Sequence, residues 1–324
     1  MGFARPRAKV GVVGAGHLGA AVANALVLRE TCRRLVLYDR TLAKVEGEGW
    51  DIADAVPHLR EQEVDVTDDL GDLAGCAVVV LAAGPTVTAG QSRLDLCARN
   101  APIVRSLVSA LDEAAPEAVL LLVSNPVDLL TRIAQNCTRR DPAAVIGSGT
   151  VNDTARLKYA LAGRLGVDHR NVHAYMVGEH GDSSFCVWSA AHVGGVALAD
   201  FPRASGIDID TMKRELVAFT HDRGREIHRR KGYTNYGAAA AAVSIVECVL
   251  RDERRILSVS GRVPAAYGLP DGTVLSLPCV VGASGVDRHL VLALEAGERA
   301  LLEEAQERLQ DAYEPGGAAQ RPPG

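Results

Sequence analysis

The chain has 324 residues, 48% of them hydrophobic and 23% charged, with a formal net charge of −5. That length suits one large or two ordinary domains, and the balance excludes wholesale disorder, collagen and coiled coil. With 35 Lys and Arg against 40 Asp and Glu there is no basic surplus for a phosphate backbone, so nucleic acid is not an expected partner.

The first half alternates short apolar runs with helical stretches. Strands are expected at 9–13, 35–38, 76–82, 118–124 and 145–147, with helices at 18–28, 42–55, 94–114 and 127–137 between them. Continuous apolar strands separated by helices indicate a parallel sheet covered on both faces. The uncharged run 10–28 behind Arg5, Arg7 and Lys9 imitates a signal peptide, but Gly14, Gly16 and Gly19 would break its helix. A strand turning into a helix explains the same residues. No other run is long and apolar enough to span a bilayer. After Gly149 the pattern becomes mixed. A helix is expected at 150–165, strand-like runs at 172–177 and 185–192, and helices at 210–230 and 236–250. Strands at 255–263 and 273–281 and a closing helix at 292–312 complete it. Strands of this half should pair locally, and the Pro- and Gly-rich end, 313–324, should be disordered. Seven scattered cysteines without a CxxC read as reduced thiols of a cytoplasmic protein, with no metal site.

Gly14-Ala15-Gly16-His17-Leu18-Gly19 follows an expected strand and opens an expected helix. Gly14 permits the tight turn, Gly16 lets the backbone approach a pyrophosphate, and Gly19 allows close helix–strand packing. Unpaired N–H groups at the helix start then face the anion. Asp39, 20 residues beyond Gly19, ends the second strand, where a carboxylate takes both ribose hydroxyls. That carboxylate would repel a 2′-phosphate, which favours NAD over NADP, although the adjacent Arg40 could pair with one. Three further clusters carry chemistry. Ser124-Asn125-Pro126-Val127-Asp128 ends a strand, at the sheet edge where ligands bind, though an Asn-Pro pair alone is also a plain turn. Asp153 and Arg156 stand three apart at a helix start and share a face, as an ordinary surface ion pair also would. Gly178-Glu179-His180-Gly181-Asp182-Ser183 holds a histidine in a polar turn, suited to proton transfer or merely structural.

Taken in order, these segments resemble the lactate/malate dehydrogenase family over about residues 8–312. The carrying motifs are GVVGAGHLG (11–19), AAGPTVTAGQSRLDLCARN (82–100), VSNPVD (123–128), IGSGTVNDTARLKY (146–159), GEHGDS (178–183) and KGYTNYG (231–237). The resemblance implies an α/β protein, with an N-terminal Rossmann doubly wound parallel sheet (1–149) and a C-terminal mixed α+β catalytic domain (150–312). It implies NAD as cofactor, a small 2-oxo or 2-hydroxy acid as substrate, and a homodimer or homotetramer. His180 resembles the proton donor and acceptor, and Asp153 its partner. Arg156 resembles the two-pronged clamp on the substrate carboxylate. Arg93 would polarise the reacting carbonyl from a closing loop. Asn125 and Thr234 would line the pocket, and Leu18, Asp39, Lys44, Gly84, Ser106, Asn125 and Ser148 correspond to cofactor contacts.

The departures from the pattern bear on the substrate. Thr88, Ala89 and Gln91 replace the usual Lys, Pro and acid of the loop. Val87 stands where lactate dehydrogenases usually carry Gln and malate dehydrogenases Arg. It argues for a substrate with an apolar side chain, larger than that of pyruvate, unless the loop register is shifted. A true L-lactate dehydrogenase that tolerates Val87 is the first alternative, and a catalytically silent dinucleotide-binding protein the second. Gly224 falls at a small pocket position, and its neighbour Arg223 would admit a distal anion if it pointed inward. Lys158 and His173 match positions that hold a sugar bisphosphate at a subunit interface in bacterial relatives, with Lys158 in place of the usual Arg, so weak activation or none is expected.

Overall fold

The computed structural model describes residues 8–85, 93–201 and 208–313. Its first half runs β1 (Lys9–Val13), α1 (His17–Leu28), β2 (Arg34–Tyr38), α2 (Leu42–Ala53), β3 (Glu63–Thr67), β4 (Cys76–Leu81), α3 (Arg93–Ala114), β5 (Val119–Leu122), α4 (Val127–Cys137) and β6 (Val145–Gly147). These six strands are parallel in the order β3-β2-β1-β4-β5-β6. Strand order reverses between β1 and β4, which opens a crevice at the carboxyl edge of the sheet.

Alternation along each strand divides the core. Val10 and Val12 of β1, Leu35 and Leu37 of β2 and Val78 and Val80 of β4 pack on one face, under Val22, Ala23 and Leu26 of α1. Val13, Val36, Val79 and Leu81 turn to the other face, under Val104, Val108 and Leu111 of α3. Full burial of each such side chain is worth roughly 1.5–3 kcal/mol. Both faces are apolar, so the sheet is covered on both sides.

The second half contains α5 (Val151–Leu165), five two-residue strands, β7 (Val172–His173), β8 (Met176–Val177), β9 (Phe185–Cys186), β10 (His192–Val193) and β11 (Val196–Ala197), then α6 (Ile209–Lys231) and α7 (Tyr236–Leu250). It closes with β12 (Arg255–Arg262), β13 (Val274–Gly282), β14 (Gly285–His289) and α8 (Ala296–Tyr313). Several features differ from the sequence-based expectation. The expected runs 172–177 and 185–192 are each two short strands in different sheets, and the closing helix begins at Ala296 rather than 292. β12 to β14 do pair with each other, but β12 also pairs with β6, Ser260 opposite Gly147, so the parallel sheet continues into a nine-stranded one among the described residues. β3 and β14 were not expected at all. α7 packs on the same face as α1, while α8 joins α3 and α4 on the other. A separate core forms where α5 and α6 meet β7 to β10, from Leu157, Leu161, Met176, Met212 and Leu216. Tyr313 still belongs to α8; the remainder of the expected disordered tail, 314–324, lies outside the described residues.

Candidate active site

The turn after β1 has the geometry its glycines imply. Gly14 sits at φ +106°, and a Cβ on Gly19 would lie 1.8 Å from the Gly14 carbonyl oxygen. Gly16 caps α1 without a side-chain hydrogen bond, and a Cβ there would meet nothing within 4 Å. Open backbone N–H groups at a helix start make an anion site. Leu18 turns inward against the core. Asp39, at the end of β2, accepts from Ala15 N at 2.9 Å, Thr41 N at 3.2 Å and Lys44 Nζ at 3.0 Å. Partial burial pushes its carboxyl up, but these three donors outweigh it and hold the group below the usual range. A fixed carboxylate thus stands beside the glycine turn.

The loops after β4, β5 and β6 meet at the same edge. Gly84, at φ +125°, faces Asn100 of α3; a Cβ there would lie 2.6 Å from Asn100 Oδ1. Asn100 is buried and donates to the Asn125 carbonyl at 2.8 Å and to Pro85 O at 3.3 Å, tying the first two loops together. Ser124 Oγ reinforces this with a bond to Ala83 O at 2.8 Å. Ser148 follows β6 and donates its N–H to Leu122 O at 2.8 Å. Ser106 lies on an exposed stretch of α3, with no described tie to the other site residues.

His180, Asp153 and Arg156 come together. His180 Nδ1 lies 2.6 Å from Asp153 Oδ2, and Arg156 Nη1 donates to Asp153 Oδ1 at 2.9 Å. Thr150, which caps α5, and Thr154 within it explain the approach. Thr150 Oγ1 donates to Met176 O at 2.6 Å, and Met176 N donates to Thr154 Oγ1 at 3.0 Å, which fastens β8 to the start of α5. Gly178 then exchanges two bonds with Ser276 and delivers the turn that carries His180. Burial pushes the Asp153 carboxyl up, yet His180 and then Arg156 hold it below the usual range. Asn152 takes the amide orientation in which its oxygen accepts from Arg156 Nη2 at 3.0 Å.

Two further side chains hold the turn, in roles that no local motif gives them. The buried Asp128 accepts from His180 N at 2.7 Å, from Ser276 Oγ at 3.0 Å and from Ser260 Oγ. Burial pushes this carboxyl up despite those donors. His221 of α6 holds the same turn, with Nε2 at 2.9 Å from Ser184 Oγ and 3.0 Å from Ser184 O.

Gly224 faces Arg156: a Cβ there would stand 3.5 Å from Nη1. Arg223 is exposed, its guanidinium 5.6 Å from the centre of the Phe219 ring, so it lies along the solvent side of α6. Thr234 is exposed in the loop between α6 and α7. Val87 lies outside the described residues; Arg93 opens α3, and its side chain is likewise outside them. Lys158 is half-buried on α5, its ammonium lowered by burial and then by Arg255, while His173 is exposed and pairs with His192 across β10. Among the described residues no group of His, Cys, Asp and Glu could hold a metal ion, and no helix is long and apolar enough to cross a membrane.

Two family models match the chain: the lactate/malate dehydrogenase NAD binding domain over residues 8–147, and that family's alpha/beta C-terminal domain over residues 150–320. The chain belongs to the lactate/malate dehydrogenase family. It is 40% identical to the L-lactate dehydrogenase of Moorella thermoacetica over 311 residues, 96% of this chain and 98% of that one. It is 44% identical to that of Deinococcus radiodurans over 298 residues, 92% of this chain and 95% of the relative. Among solved structures, a lactate dehydrogenase from a Medee basin deep-sea metagenome superposes with a TM-score of 0.90 at 34% identity, covering 95% of this chain and 98% of the other. The minor L-lactate dehydrogenase of Enterococcus mundtii gives 0.89 at 30% identity, with the same coverage. This family member is accordingly an NAD-dependent dehydrogenase acting on the CH–OH group of a 2-hydroxy acid. The open turn at Gly16 and the fixed Asp39 carboxylate fit that cofactor.

Proposed function

We propose that this dehydrogenase interconverts a 2-oxo acid whose apolar side chain is larger than that of pyruvate and the corresponding L-2-hydroxy acid. Bound NADH supplies the hydride to the carbonyl carbon. His180, with Nδ1 engaged by Asp153, carries its transferable proton on Nε2 and gives it to the carbonyl oxygen as negative charge develops there. Asp153 keeps the imidazole in that tautomer and favours the imidazolium. Arg156 clamps the substrate carboxylate, with Asp153 and Asn152 fixing the plane of its guanidinium. Arg93 polarises the carbonyl, and Asn125 and Thr234 line the pocket. Gly14, Gly16, Leu18, Gly19, Asp39, Lys44, Gly84, Ser106 and Ser148 serve the cofactor. We take 150 as the first residue of the catalytic domain, and a cytoplasmic homodimer or homotetramer as its setting.

One observation carries the substrate reading: Gly224 offers no side chain at the position that faces the Arg156 guanidinium. The exposed Arg223 adds no cation there, and Val87 supplies neither charge nor amide. With Val87 at the pocket wall, as the family resemblance implies, a second carboxylate would meet neither charge nor amide there, at a cost of several kcal/mol. The second reading is L-lactate dehydrogenase itself, favoured by relatives of that name at 40% and 44% identity. Values of kcat/KM for 2-oxoisocaproate, pyruvate and oxaloacetate separate them. The expected order is as written, since each methylene that fits is worth roughly 1–3 kcal/mol in transition-state binding. Pyruvate in first place would establish the second reading, and oxaloacetate in first place would overturn both.

A further inference from the structure

The turn that opens α1 and the loop that opens α7 meet through two rings. The His17 imidazole stacks on the Tyr233 ring, with centroids 4.0 Å apart and planes inclined by 8°. Polar ties close the contact. Asn235 Nδ2 donates to the His17 carbonyl at 3.4 Å, and the same side chain accepts from Lys231 Nζ at 2.6 Å. The Lys231 ammonium also lies 4.5 Å from the Tyr233 ring centre and 3.8 Å from that of Tyr236. None of this is needed to dock α1. Its buried face consists of Gly19, Val22, Ala23, Leu26 and Val27, whereas His17 is exposed. The stack links chain segments rather than filling a core.

The sequence neighbours of the two rings are informative. Gly16, which leaves the dinucleotide turn open, precedes His17, and Thr234 follows Tyr233. We propose that the His17–Tyr233 stack is a latch through which the cofactor turn positions the substrate loop. Cofactor on the turn fixes the backbone at Gly16 and His17, the rings carry that order to Tyr233, and Thr234 is held at the pocket wall. Both ring residues are positioning residues and neither touches the substrate. The inference rests on the assignment of Thr234 to the pocket made above.

The test uses the full-length enzyme with His17→Ala, Tyr233→Ala, their combination, His17→Phe and, separately, Thr234→Ala. NADH affinity is read from the fluorescence of bound NADH, and KM for 2-oxoisocaproate and for pyruvate is measured at saturating NADH. Loss of an aromatic pair predicts that either alanine variant raises KM roughly three- to tenfold. The double variant should be no worse than either single one, because both remove one interaction. His17→Phe keeps a stacking ring and should restore KM, with NADH affinity little changed throughout. Unchanged KM in both alanine variants, or effects that add in the double variant, would overturn the latch. So would a His17→Phe enzyme as impaired as His17→Ala with weakened NADH binding, which would make His17 a direct cofactor contact. If Thr234→Ala leaves KM unchanged, the pocket assignment fails and the latch with it. If Thr234→Ala raises KM while His17→Ala does not, the latch alone is refuted.

Discussion

Asp153→Asn preserves shape and removes one charge at the point where three side chains converge. The carboxylate is 7% exposed and serves His180 Nδ1 at 2.6 Å and Arg156 Nη1 at 2.9 Å. An asparagine can accept through only one of its two terminal atoms, so one donor must then face an N–H₂ group. Hydrogen bonds to charged groups contribute roughly 1.5–3 kcal/mol each, and the loss of one or both gives about 1.5–6 kcal/mol. At about 1.4 kcal/mol per decade, kcat/KM for 2-oxo acid reduction should fall by about 10- to 10,000-fold, with the larger value expected for two disrupted contacts. The pH dependence has a definite sign. His180 and Arg156 hold Asp153 below the usual carboxylate range, and the same pairing favours the imidazolium that reduction requires. In the variant that proton is lost at lower pH, so reduction should decline at lower pH than in the unmodified enzyme. Initial rates of NADH oxidation across about pH 5 to 9 record both effects. A variant whose kcat/KM stays within about threefold and whose profile does not move would refute the reasoning.

Replacing Asp39 by Ser removes the acceptor of Ala15 N, Thr41 N and Lys44 Nζ, so NADH should bind more weakly while NADPH gains about tenfold relative to it. Fluorescence titration with both nucleotides reads the ratio, and an unchanged ratio counts against the cofactor assignment. Gly224→Leu builds a side chain beginning 3.5 Å from Arg156 Nη1 and should cost 2-oxoisocaproate at least about tenfold more kcat/KM than pyruvate. Equal losses for the two acids would contradict the pocket reading. Burial raises the Asp128 carboxyl, so the native state binds its proton more readily than the unfolded chain does. Its contribution is therefore present below the unfolded value of about 3.9 and is lost as pH rises through the folded one. The Tm of Asp128→Asn relative to the unmodified protein should accordingly improve from about pH 4 to 7; a gap independent of pH would show that the raised carboxyl has been misread.

What was legible in the sequence follows from where its signals are local. The glycine turn and Asp39 declare themselves because tight turning, close approach and a following carboxylate are all requirements of one short segment. Both boundaries of α4 and of α7 are read correctly from their apolar runs and flanking polar residues. β3 and β14 escape because edge strands bury little; Glu63-Val64-Asp65-Val66-Thr67 and Gly285-Val286-Asp287-Arg288-His289 each bury a single residue. The junction of β12 with β6 is a tertiary choice that neither strand encodes alone. Motif and resemblance singled out His180, Asp153 and Arg156, whereas Asp128 entered only as the last residue of the sheet-edge cluster 124–128, with no role of its own. Its serine partners lie 132 and 148 residues further along the chain, beyond any local pattern. The orientation of Arg223 likewise needs three dimensions: its guanidinium lies by the Phe219 ring on the solvent side of α6.

The proton-transfer role of His180 is tested most directly by His180→Asn, measured for NADH affinity and for turnover with 2-oxoisocaproate on one preparation. Removing a group that acts on the developing oxyanion should leave NADH affinity within about threefold while kcat falls by roughly three orders of magnitude or more. Turnover within about tenfold of the unmodified enzyme, with NADH still bound, would contradict the assignment of His180 as the proton donor.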